Sequence, residues 1–368
     1  MAAAKQNEGK KEEEEEGYTI RVGTRRSALA LKQAELVISS LSSAHPHVNF
    51  EVHAMATMGD RDKTTPLPEM GKGLWTSELE AKLVAKEVDI IVHSLKDMPT
   101  TLPSGCLLGC VTKREDPRDV VIFKEDKYKT LAELAELKEG AVVGTSSVRR
   151  AAQLRRRYPG LKFKDVRGNI DTRLKKLDDP ENGLDCIILA AAGLLRMDFG
   201  DRIGQYLESS TEGGGLLHAV GQGALGIECR EDDERVLGLL KSIEHTPTMM
   251  AAFAERSVMR TLEGGCSVPI GVETSWVEGE DTEEEGEGES KGGRKLRIRA
   301  IVVSLDGTEG VDGEKVEEVA SLAQADSLGK KMAQELVDKG AQKILDVINN
   351  AREGHEGAGA VKVGDVSK

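Results

Sequence analysis

The segment Ala141-Val-Val-Gly-Thr-Ser-Ser147 joins an apolar run to three hydroxyl side chains. The apolar half predicts a buried strand, and the hydroxyl half predicts the start of a helix with Ser146 or Ser147 as its N-cap. The same order, a β-branched run and then an amphipathic helix, recurs along most of the chain. This alternation is typical of α/β proteins with mostly parallel sheets, whose ligand sites lie at the carboxyl ends of strands.

The pattern predicts where the elements of this α/β region lie. Extended segments are expected at residues 18–24, 49–56, 89–95, 119–123, 141–145, 162–167, 185–190 and 224–229. Helices are expected at residues 27–43, 73–86, 147–158, 170–177 and 232–243. Two segments, 113–118 and 212–215, are typical of crossings between lobes. Two crossings predict a hinge.

After Thr246 the pattern changes. One long helix (248–262), two strands (269–277 and 295–305) and a helix at about 326–349 predict a smaller α+β domain. Residues 278–293 then form an acidic insertion in its hairpin. The 368 residues are enough for two or three domains, each burying its own core.

The formal net charge of −13 is concentrated in two stretches. Residues 1–16 carry a net −3 and residues 278–289 a net −8, so the remainder is close to neutral. Such runs are typical of disordered, solvated segments, and we expect a disordered leader at 1–16 and a flexible tail at 352–368. The glutamate-rich leader lacks the features of a secretory or transit signal, which favours the cytosol. The longest apolar run, 186–195, is too short for a membrane span.

Positive charge is densest between Thr145 and Lys176, where eleven bases face two acids. One interpretation is a solvated helix face. A nucleic-acid site is another, but aromatic residues make up only 3% of the chain and no stacking platform is present. The arginines at two predicted strand ends favour a small polyanion instead, because guanidinium groups bind carboxylates and phosphates in pairs of hydrogen bonds. We leave Arg155, Arg156 and Arg157 as a solvated face.

Both strand ends in this region have the features of an anion site. A helix N-terminus offers free N–H groups and the positive end of its dipole, and Gly168 permits a tight turn at the second junction. The candidate residues here are Thr145, Ser146, Ser147, Arg149, Arg150, Arg167 and Arg173.

In the first half of the chain, Val88-Asp-Ile-Ile-Val-His-Ser-Leu-Lys-Asp-Met-Pro99 predicts a core strand that ends in polar residues. Ser94, Lys96 and Asp97 follow the apolar run. Lys96 and Asp97 could be a plain surface ion pair. At the end of a core strand, however, Asp97 could act as a general acid or base or as a counter-charge for a developing cation. Arg25 and Ser27 occupy a similar junction, so matching polar edges are expected across a cleft.

The five cysteines are an odd number and indicate a reducing compartment. Cys186 and Cys229 lie on predicted strands and are interpreted as small core residues. Cys266 differs, because it lies in a glycine-rich loop where a thiol is accessible as a nucleophile or attachment point. The scattered histidines give no zinc spacing, so no metal is expected.

Eight motifs in order resemble those of the porphobilinogen deaminases, also called hydroxymethylbilane synthases, from Tyr18 to about Asn349. They are Val22-Gly-Thr-Arg-Arg-Ser-Ala-Leu-Ala30, Gly71-Lys-Gly-Leu-Trp75, His93-Ser-Leu-Lys-Asp-Met-Pro99, Gly144-Thr-Ser-Ser-Val-Arg-Arg150, Arg167-Gly-Asn169 with Thr172-Arg173, Ala191-Ala-Gly193 with Arg196, Gly221-Gln-Gly-Ala224 and Gly264-Gly-Cys266.

The resemblance implies two lobes like those of periplasmic binding proteins, joined by two hinge crossings, and a third domain. The first lobe would comprise residues 17–114 and 224–241, the second 118–217, and the third 246–350. It also implies condensation of four porphobilinogen molecules with loss of ammonia, giving the linear tetrapyrrole hydroxymethylbilane for haem and related compounds.

The same resemblance assigns roles to residues. Cys266 would hold a dipyrromethane cofactor by a thioether, and Asp97 would be catalytic. The substrate and cofactor carboxylates and ring nitrogens would meet Arg25, Ser27, Ser94, Lys96, Thr145, Ser146, Ser147, Arg149, Arg150, Arg167, Arg173, Gly193, Arg196 and Gln222. A monomer without a nucleic-acid or membrane partner is expected.

Three features depart from the family pattern. Trp75 replaces a usual phenylalanine, His218 stands where proline is common, and the insertion at 278–293 is extra. The principal rival interpretation is a non-catalytic protein that binds anions in the same arginine-lined cleft. Such a protein would need neither Asp97 nor Cys266.

Overall fold

The structure is a computed structural model that describes residues 17–61, 73, 75–125, 133–210, 216–262, 268–277 and 294–358. Cys266, the leader at 1–16, the crossing at 212–215 and the insertion at 278–293 lie outside the described residues. None of the helices in the described ranges is long and apolar enough to cross a membrane.

The elements follow in chain order. The strands are β1 (Thr19–Arg25), β2 (Asn49–Met55), β3 (Ile90–Ser94), β4 (Cys106–Val111), β5 (Asp119–Phe123), β6 (Val142–Gly144), β7 (Lys162–Lys164), β8 (Cys186–Ala190), β9 (Gln205–Leu207), β10 (Leu225–Arg230), β11 (Ile270–Val277), β12 (Lys295–Val303) and β13 (Gly310–Glu318). The helices are α1 (Ala28–Ala44), α2 (Met58–Arg61), α3 (Ser77–Val84), α4 (Val148–Arg157), α5 (Ile170–Asp178), α6 (Ala191–Arg196), α7 (Glu234–Lys241), α8 (Thr246–Thr261), α9 (Leu322–Asp338) and α10 (Ala341–Ala358).

Two sheets of five strands form two lobes with matching topology. Their orders are β2-β1-β3-β10-β4 and β7-β6-β8-β5-β9. In each, three strands are parallel, and the strand next to them is antiparallel to both of its neighbours. The chain leaves the first lobe after β4 and returns to it at β10. The expected α/β architecture, with two lobes and a smaller third unit, is confirmed.

The second crossing, whose described part is residues 216–224, runs beside the first crossing at 113–118, and both are fastened to α8. Glu115 N donates to Gly223 O at 3.1 Å. Gly223 has φ +88°, and a Cβ there would lie 2.4 Å from Glu115 O, so the close approach requires glycine. Arg114 of the first crossing and the backbone N–H of Gly221 in the second both bind the fully buried carboxylate of Glu255, at 2.6 and 2.7 Å. One carboxylate of α8 thus holds both crossings.

The third unit packs α8 and α9 against a sheet of order β11-β12-β13. Strand β13 was not predicted from the sequence, because its alternating polar residues and two glycines do not resemble a strand that is half buried. The expected single helix at 326–349 is also wrong. It is divided into α9 and α10 at Gly340, whose φ of +103° ends the first helix. Helix α10 continues to Ala358, seven residues into the expected flexible tail.

Two of the three arginines interpreted as a solvated face contact the third unit. Arg155 Nη1 donates to Leu305 O at 2.7 Å, and Arg156 Nη1 donates to Thr308 O at 3.3 Å. Both carbonyls belong to the turn between β12 and β13. The interpretation as a purely solvated face is therefore wrong for these two side chains, which fix the third unit to the second lobe.

Candidate active site

The end of β3 presents the expected polar residues of the first lobe. Ser94 Oγ and the Gln33 side chain of α1 exchange hydrogen bonds of 2.9 and 3.1 Å. The next three residues, Leu95–Asp97, form one turn of 3₁₀ helix that turns the chain away from the sheet. Asp97 is half-buried. Within the described part of the chain, its carboxylate has neither a hydrogen-bond nor an ion-pair partner.

Lys96 reaches from this turn towards the second crossing. Its Nζ donates to Gln222 Oε1 at 3.4 Å. Burial of the ammonium and the nearby guanidinium of Arg150 lower the pKa of Lys96 to about 8, although Asp97 and Asp119 oppose this shift. The shift therefore reflects burial first, and then the field of the neighbouring guanidinium groups.

The junction between β6 and α4 is built differently from the expected open anion site. Arg149 Nη1 donates to Asp119 Oδ2 at 2.7 Å, and Arg150 Nε donates to Asp119 Oδ1 at 2.9 Å. The two guanidiniums also donate to the carbonyls of Leu217 and Ile188. All three charged groups are buried. Burial alone would raise the pKa of Asp119, but the two arginines hold it well below its usual range.

Gln222 connects this buried triad to the first lobe. Its Nε2 donates to Asp119 Oδ1 at 2.9 Å and to Pro117 O at 2.7 Å, while its Oε1 accepts from Lys96. Gln222 is completely buried. The amide therefore joins the second crossing, the first crossing and the polar turn that contains Asp97.

The three hydroxyl residues of the junction bind backbone groups of their own lobe. Ser147 is the N-cap of α4, and its Oγ accepts from Arg150 N at 3.4 Å, which agrees with the sequence prediction. Thr145 Oγ1 accepts from Ser147 N at 3.2 Å, and Ser146 Oγ donates to Val166 O at 2.8 Å. In this structure the hydroxyls therefore shape the turn.

The second junction of this lobe brings another arginine towards Asp97. Gly168 has φ +116°, as its tight turn requires, and Arg173 Nε donates to Gly168 O at 2.7 Å. Burial and the field of Arg150 lower the pKa of Arg173 to about 10, while Asp97 opposes the shift. Arg167 is half-buried one residue before Gly168. Two cations, Lys96 and Arg173, thus approach Asp97 from different lobes.

Arg196 and Gly193 lie on the short helix α6 of the second lobe. Arg196 Nη2 donates to Gly223 O at 2.7 Å, and burial lowers its pKa. Gly193 is buried, and a Cβ there would lie 3.1 Å from Ile170 Cδ1. Its role in the structure is close packing against the start of α5.

Arg25 and Ser27 follow β1 in the first lobe. Ser27 caps α1, since its Oγ accepts from Ala30 N at 3.3 Å. Arg25 Nε donates to Asp60 Oδ2 at 3.2 Å, and its guanidinium lies 4.1 Å from the centre of the Trp75 ring. Trp75, which departs from the family pattern, therefore covers Arg25, a residue expected to bind substrate. Asp60 was not among the sequence candidates.

His218, the second departure, links the second crossing to the third unit. It forms a two-bond bridge with Val272, in which each backbone N–H donates to the other's carbonyl, at 3.0 and 2.9 Å. A proline here could not donate the first of these bonds. The ring is buried, which lowers the pKa of His218.

Asp119 is the main residue that the sequence analysis missed as part of the site. The available signal was an acidic residue opening a strand that is otherwise wholly apolar, Asp119-Val-Val-Ile-Phe123. Such a carboxylate, buried at the start of a core strand, needs a cationic partner. Two arginines on a neighbouring helix supply it.

The residues around Asp97 suit a polycarboxylate such as a dipyrromethane that bears acetate and propionate groups. The cations Arg149, Arg150, Arg173 and Lys96 outnumber the carboxylates beside them. Burial, and then the field of Arg150, lowers the pKa values of Lys96 and Arg173. Among the described side chains, no group of three or more His, Cys, Asp or Glu residues is placed to hold a metal ion.

The chain matches the family sequence model described as porphobilinogen deaminase, dipyromethane cofactor binding domain, over residues 20–238. The model of the porphobilinogen deaminase C-terminal domain matches residues 249–338. The solved methionine-binding protein MetQ matches with a TM-score of 0.39 and 12% identity, covering 64% of this chain and 94% of MetQ. That score is too low to carry an argument.

Curated relatives cover nearly the whole chain. The porphobilinogen deaminase of Neurospora crassa is 60% identical over 96% of this chain and 99% of its own length. Those of Yarrowia lipolytica and Saccharomyces cerevisiae are 50% and 46% identical, over 89% and 90% of this chain and 93% and 97% of theirs. The resemblance inferred from the eight motifs is confirmed, and the chain belongs to the porphobilinogen deaminase family.

Proposed function

We propose that Asp97 is the catalytic carboxylate of this enzyme. The family reaction joins four porphobilinogen molecules head to tail, releases ammonia and forms hydroxymethylbilane in tetrapyrrole biosynthesis. The observation that carries the assignment is the carboxylate without a partner in the described chain, at the end of a core strand and among cations. A preorganised negative group in such a site stabilises positive charge that develops in a reaction.

Asp97 has two tasks in this proposal. Loss of ammonia from the aminomethyl group leaves a positively charged pyrrole, and the carboxylate stabilises this charge and accepts hydrogen bonds from pyrrole N–H groups. The free α-carbon of the preceding terminal ring attacks the methylene carbon of this cation, and once the new carbon–carbon bond has formed, that α-carbon must lose its proton. A carboxylate oxygen of Asp97 accepts this proton and passes it to solvent.

Positively charged side chains from both lobes bind the substrate carboxylates. Arg25, Arg167, Arg173 and Arg196 are half-buried at the ends of elements, and each can offer guanidinium N–H groups to an acetate or propionate. Lys96 adds an ammonium near Asp97. Arg149 and Arg150 already bind Asp119, so we assign them a fixed positive field that faces the chain of carboxylates.

The remaining candidates position these groups. Ser94 is fixed by Gln33, Gln222 holds the turn of Asp97 through Lys96, and Ser27 caps α1. Thr145, Ser146 and Ser147 shape the turn before α4, and Gly193 allows α6 to pack closely. Lobe movement about the two crossings would make room for the growing product.

The cofactor belongs to the same proposal. When bound, the dipyrromethane supplies the free α-carbon at which chain growth starts. We propose that Cys266 holds it covalently through a thioether, because a thiol in a glycine-rich loop is accessible. Cys106, Cys110, Cys186 and Cys229 are poorer candidates, because burial raises the pKa of each of these thiols.

The test is the intact mass of the denatured wild-type protein beside Cys266→Ala, with a colour test for dipyrroles. Cys106→Ala is the matched control, since Cys106 is the half-buried thiol among those described. We expect an adduct of two pyrrole units in the wild type and the control, and none in Cys266→Ala. A wild-type chain that stayed unmodified after incubation with porphobilinogen would contradict the attachment and favour the non-catalytic anion-binding protein.

We also propose a cytoplasmic monomer without nucleic-acid or membrane partners. Its domains would be 17–114 with 224–241, 118–217 and 246–350. The odd number of cysteines supports the location, and the separate apolar cores of the lobes and third unit support the division. Light scattering after size-exclusion chromatography tests the oligomeric state.

A further inference from the structure

The face of β3 opposite Ser94 bears a second polar cluster, within the interior of the first lobe. His93 of β3 and Glu228 of β10 share a hydrogen bond of 3.1 Å between Nε2 and Oε2. Glu80 of α3 lies near them, and Thr76 precedes that helix. All four side chains belong to buried residues, with exposed fractions between 0% and 7%. The reaction as described above uses none of them.

Three oxygens of this cluster lack hydrogen bonds. Within the described ranges, Thr76 Oγ1, Glu80 Oε1 and Glu228 Oε1 are buried without a partner. Burial, and then the nearby Glu228 carboxylate, raise the pKa of Glu80, while His93 opposes the shift. Two buried carboxylates that share one site cannot both ionise without strong repulsion. The geometry therefore favours a proton on Glu80.

Few other charges face Glu80 from the elements that pack against α3. On β10, Arg230 donates to Leu83 O of α3 at 3.2 Å and also pairs with Asp89 and Asp233. On β4, Cys106 is close enough for Glu80 and Glu228 to help raise the pKa of its thiol, after burial. His93 faces the cluster from β3. A negative charge on Glu80 would therefore be poorly compensated.

The residues just before helix α3 contact Arg25. Trp75 lies two residues before the helix and stacks on the Arg25 guanidinium. The indole also covers Gly59 of α2, where a Cβ would lie 2.3 Å from the ring. On the outer side of α3, Glu78 accepts from Met58 N at 2.8 Å and pairs with Arg61, both in α2. A shift of α3 would therefore move Trp75 relative to Arg25.

We propose that Glu80 is a positioning residue whose neutral carboxylic acid seats α3 against β3 and β10, and so keeps Trp75 stacked on Arg25. Ionisation of Glu80 adds a negative charge beside the Glu228 carboxylate and moves α3 away from β3 and β10. The Trp75 indole then moves away from the Arg25 guanidinium. The consequence for catalysis rests on the proposed role of Arg25 as a ligand of substrate carboxylates. Withdrawal of the indole should then raise KM for porphobilinogen with little change in kcat.

The test follows Trp75 itself. The chain has two tryptophans, so Trp276→Phe leaves Trp75 as the sole indole, and its emission is recorded against pH in the purified holoenzyme. We expect a shift in emission as pH rises through a transition above the ordinary range of a glutamate, and a severalfold rise in KM over the same interval. Glu80→Gln, which cannot ionise, should keep the low-pH emission throughout, and should keep the lower KM below pH 8, where Lys96 remains charged.

Glu87→Gln is the matched control, because Glu87 follows α3 but pairs with Lys82 at the surface. It should retain the wild-type transition. If the Glu80→Gln variant does not fold, Glu80→Met replaces it, since methionine also lacks a titrating group. An emission transition that persists in both Glu80 variants, or that is absent from the wild type, would overturn the proposal. A transition that Glu80→Gln abolishes while KM stays constant supports the positioning role and contradicts the role assigned to Arg25.

Discussion

The two lobes share a topology but use their strand-end carboxylates differently. In the first lobe, Asp97 follows β3, is half-buried and has no partner among the described residues. In the second, Asp119 begins β5, is fully buried and binds Arg149, Arg150 and Gln222. A carboxylate whose charge is already matched holds elements together. One whose charge is left unmatched among cations remains available to a substrate.

The largest effect is expected from Asp97→Asn, which should lower the rate of catalysis. The substitution keeps the shape but removes the negative charge and the proton acceptor. We expect kcat for ammonia release to fall by a factor of about 10² to 10⁴, with an unchanged unfolding midpoint. Steady-state ammonia release and thermal unfolding on the same preparation measure both. Activity within a few-fold of wild type would remove Asp97 from the chemistry.

Asp119→Asn should affect stability instead. It leaves two buried guanidiniums without their counter-charge, so we expect the free energy of unfolding to fall by about 3–5 kcal/mol. Asp178→Asn is the matched control, since Asp178 pairs with Arg202 at the surface at 2.8 Å. Its substitution should lower the free energy of unfolding by at most about 1 kcal/mol. Denaturant unfolding of the three proteins compares them. Equal losses in the two variants would refute the structural role of Asp119.

Lys96 links the lobes and should make substrate binding depend on pH. With a pKa of about 8, its ammonium loses charge as pH rises through that value, so KM should rise above pH 8. Lys96→Arg, which stays charged, should keep KM low in that range. The unfolded chain retains the proton up to the ordinary pKa of 10.5, so this group's contribution to stability should increase between about pH 8 and 10.5. An unchanged KM profile in Lys96→Arg would contradict the assignment.

The smallest effect is expected at the N-cap of α4. Ser147→Ala removes the acceptor for Arg150 N and should lower the free energy of unfolding by about 1 kcal/mol. Ser27→Ala, which removes the N-cap of α1, should have an effect of the same size. If the hydroxyl only caps the helix, KM for porphobilinogen stays at the wild-type value. A several-fold rise in KM for Ser147→Ala alone would show that this hydroxyl also binds substrate.

Local sequence patterns were sufficient to predict the strand ends at which the candidate site residues lie. The apolar run before Ser94 and the run from Ala141 to Gly144 both predicted a strand end, because such patterns depend on neighbouring residues alone. The cap at Ser147 followed in the same way. The motifs then identified the family, since they fix residue types at several separate junctions.

Pairing between distant residues was not predictable in the same way. Asp119 lies 30 and 31 residues from the arginines that it binds and 103 residues from Gln222. Nothing local distinguishes those arginines from Arg173, whose Nε reaches only a backbone carbonyl. Strand β13 was missed for a related reason, since its polar sequence is stabilised by its neighbour β12 rather than by its own pattern.

The contrast between the lobes is tested most directly by one paired measurement on Asp97→Asn and Asp119→Asn. Each holoenzyme is incubated with porphobilinogen, the units added per chain are counted by intact mass, and unfolding is followed on the same samples. We predict that Asp97→Asn adds no units but unfolds like the wild type, whereas Asp119→Asn unfolds much earlier and still adds units where it remains folded. The reverse pattern, or one shared by both variants, would contradict the division of roles.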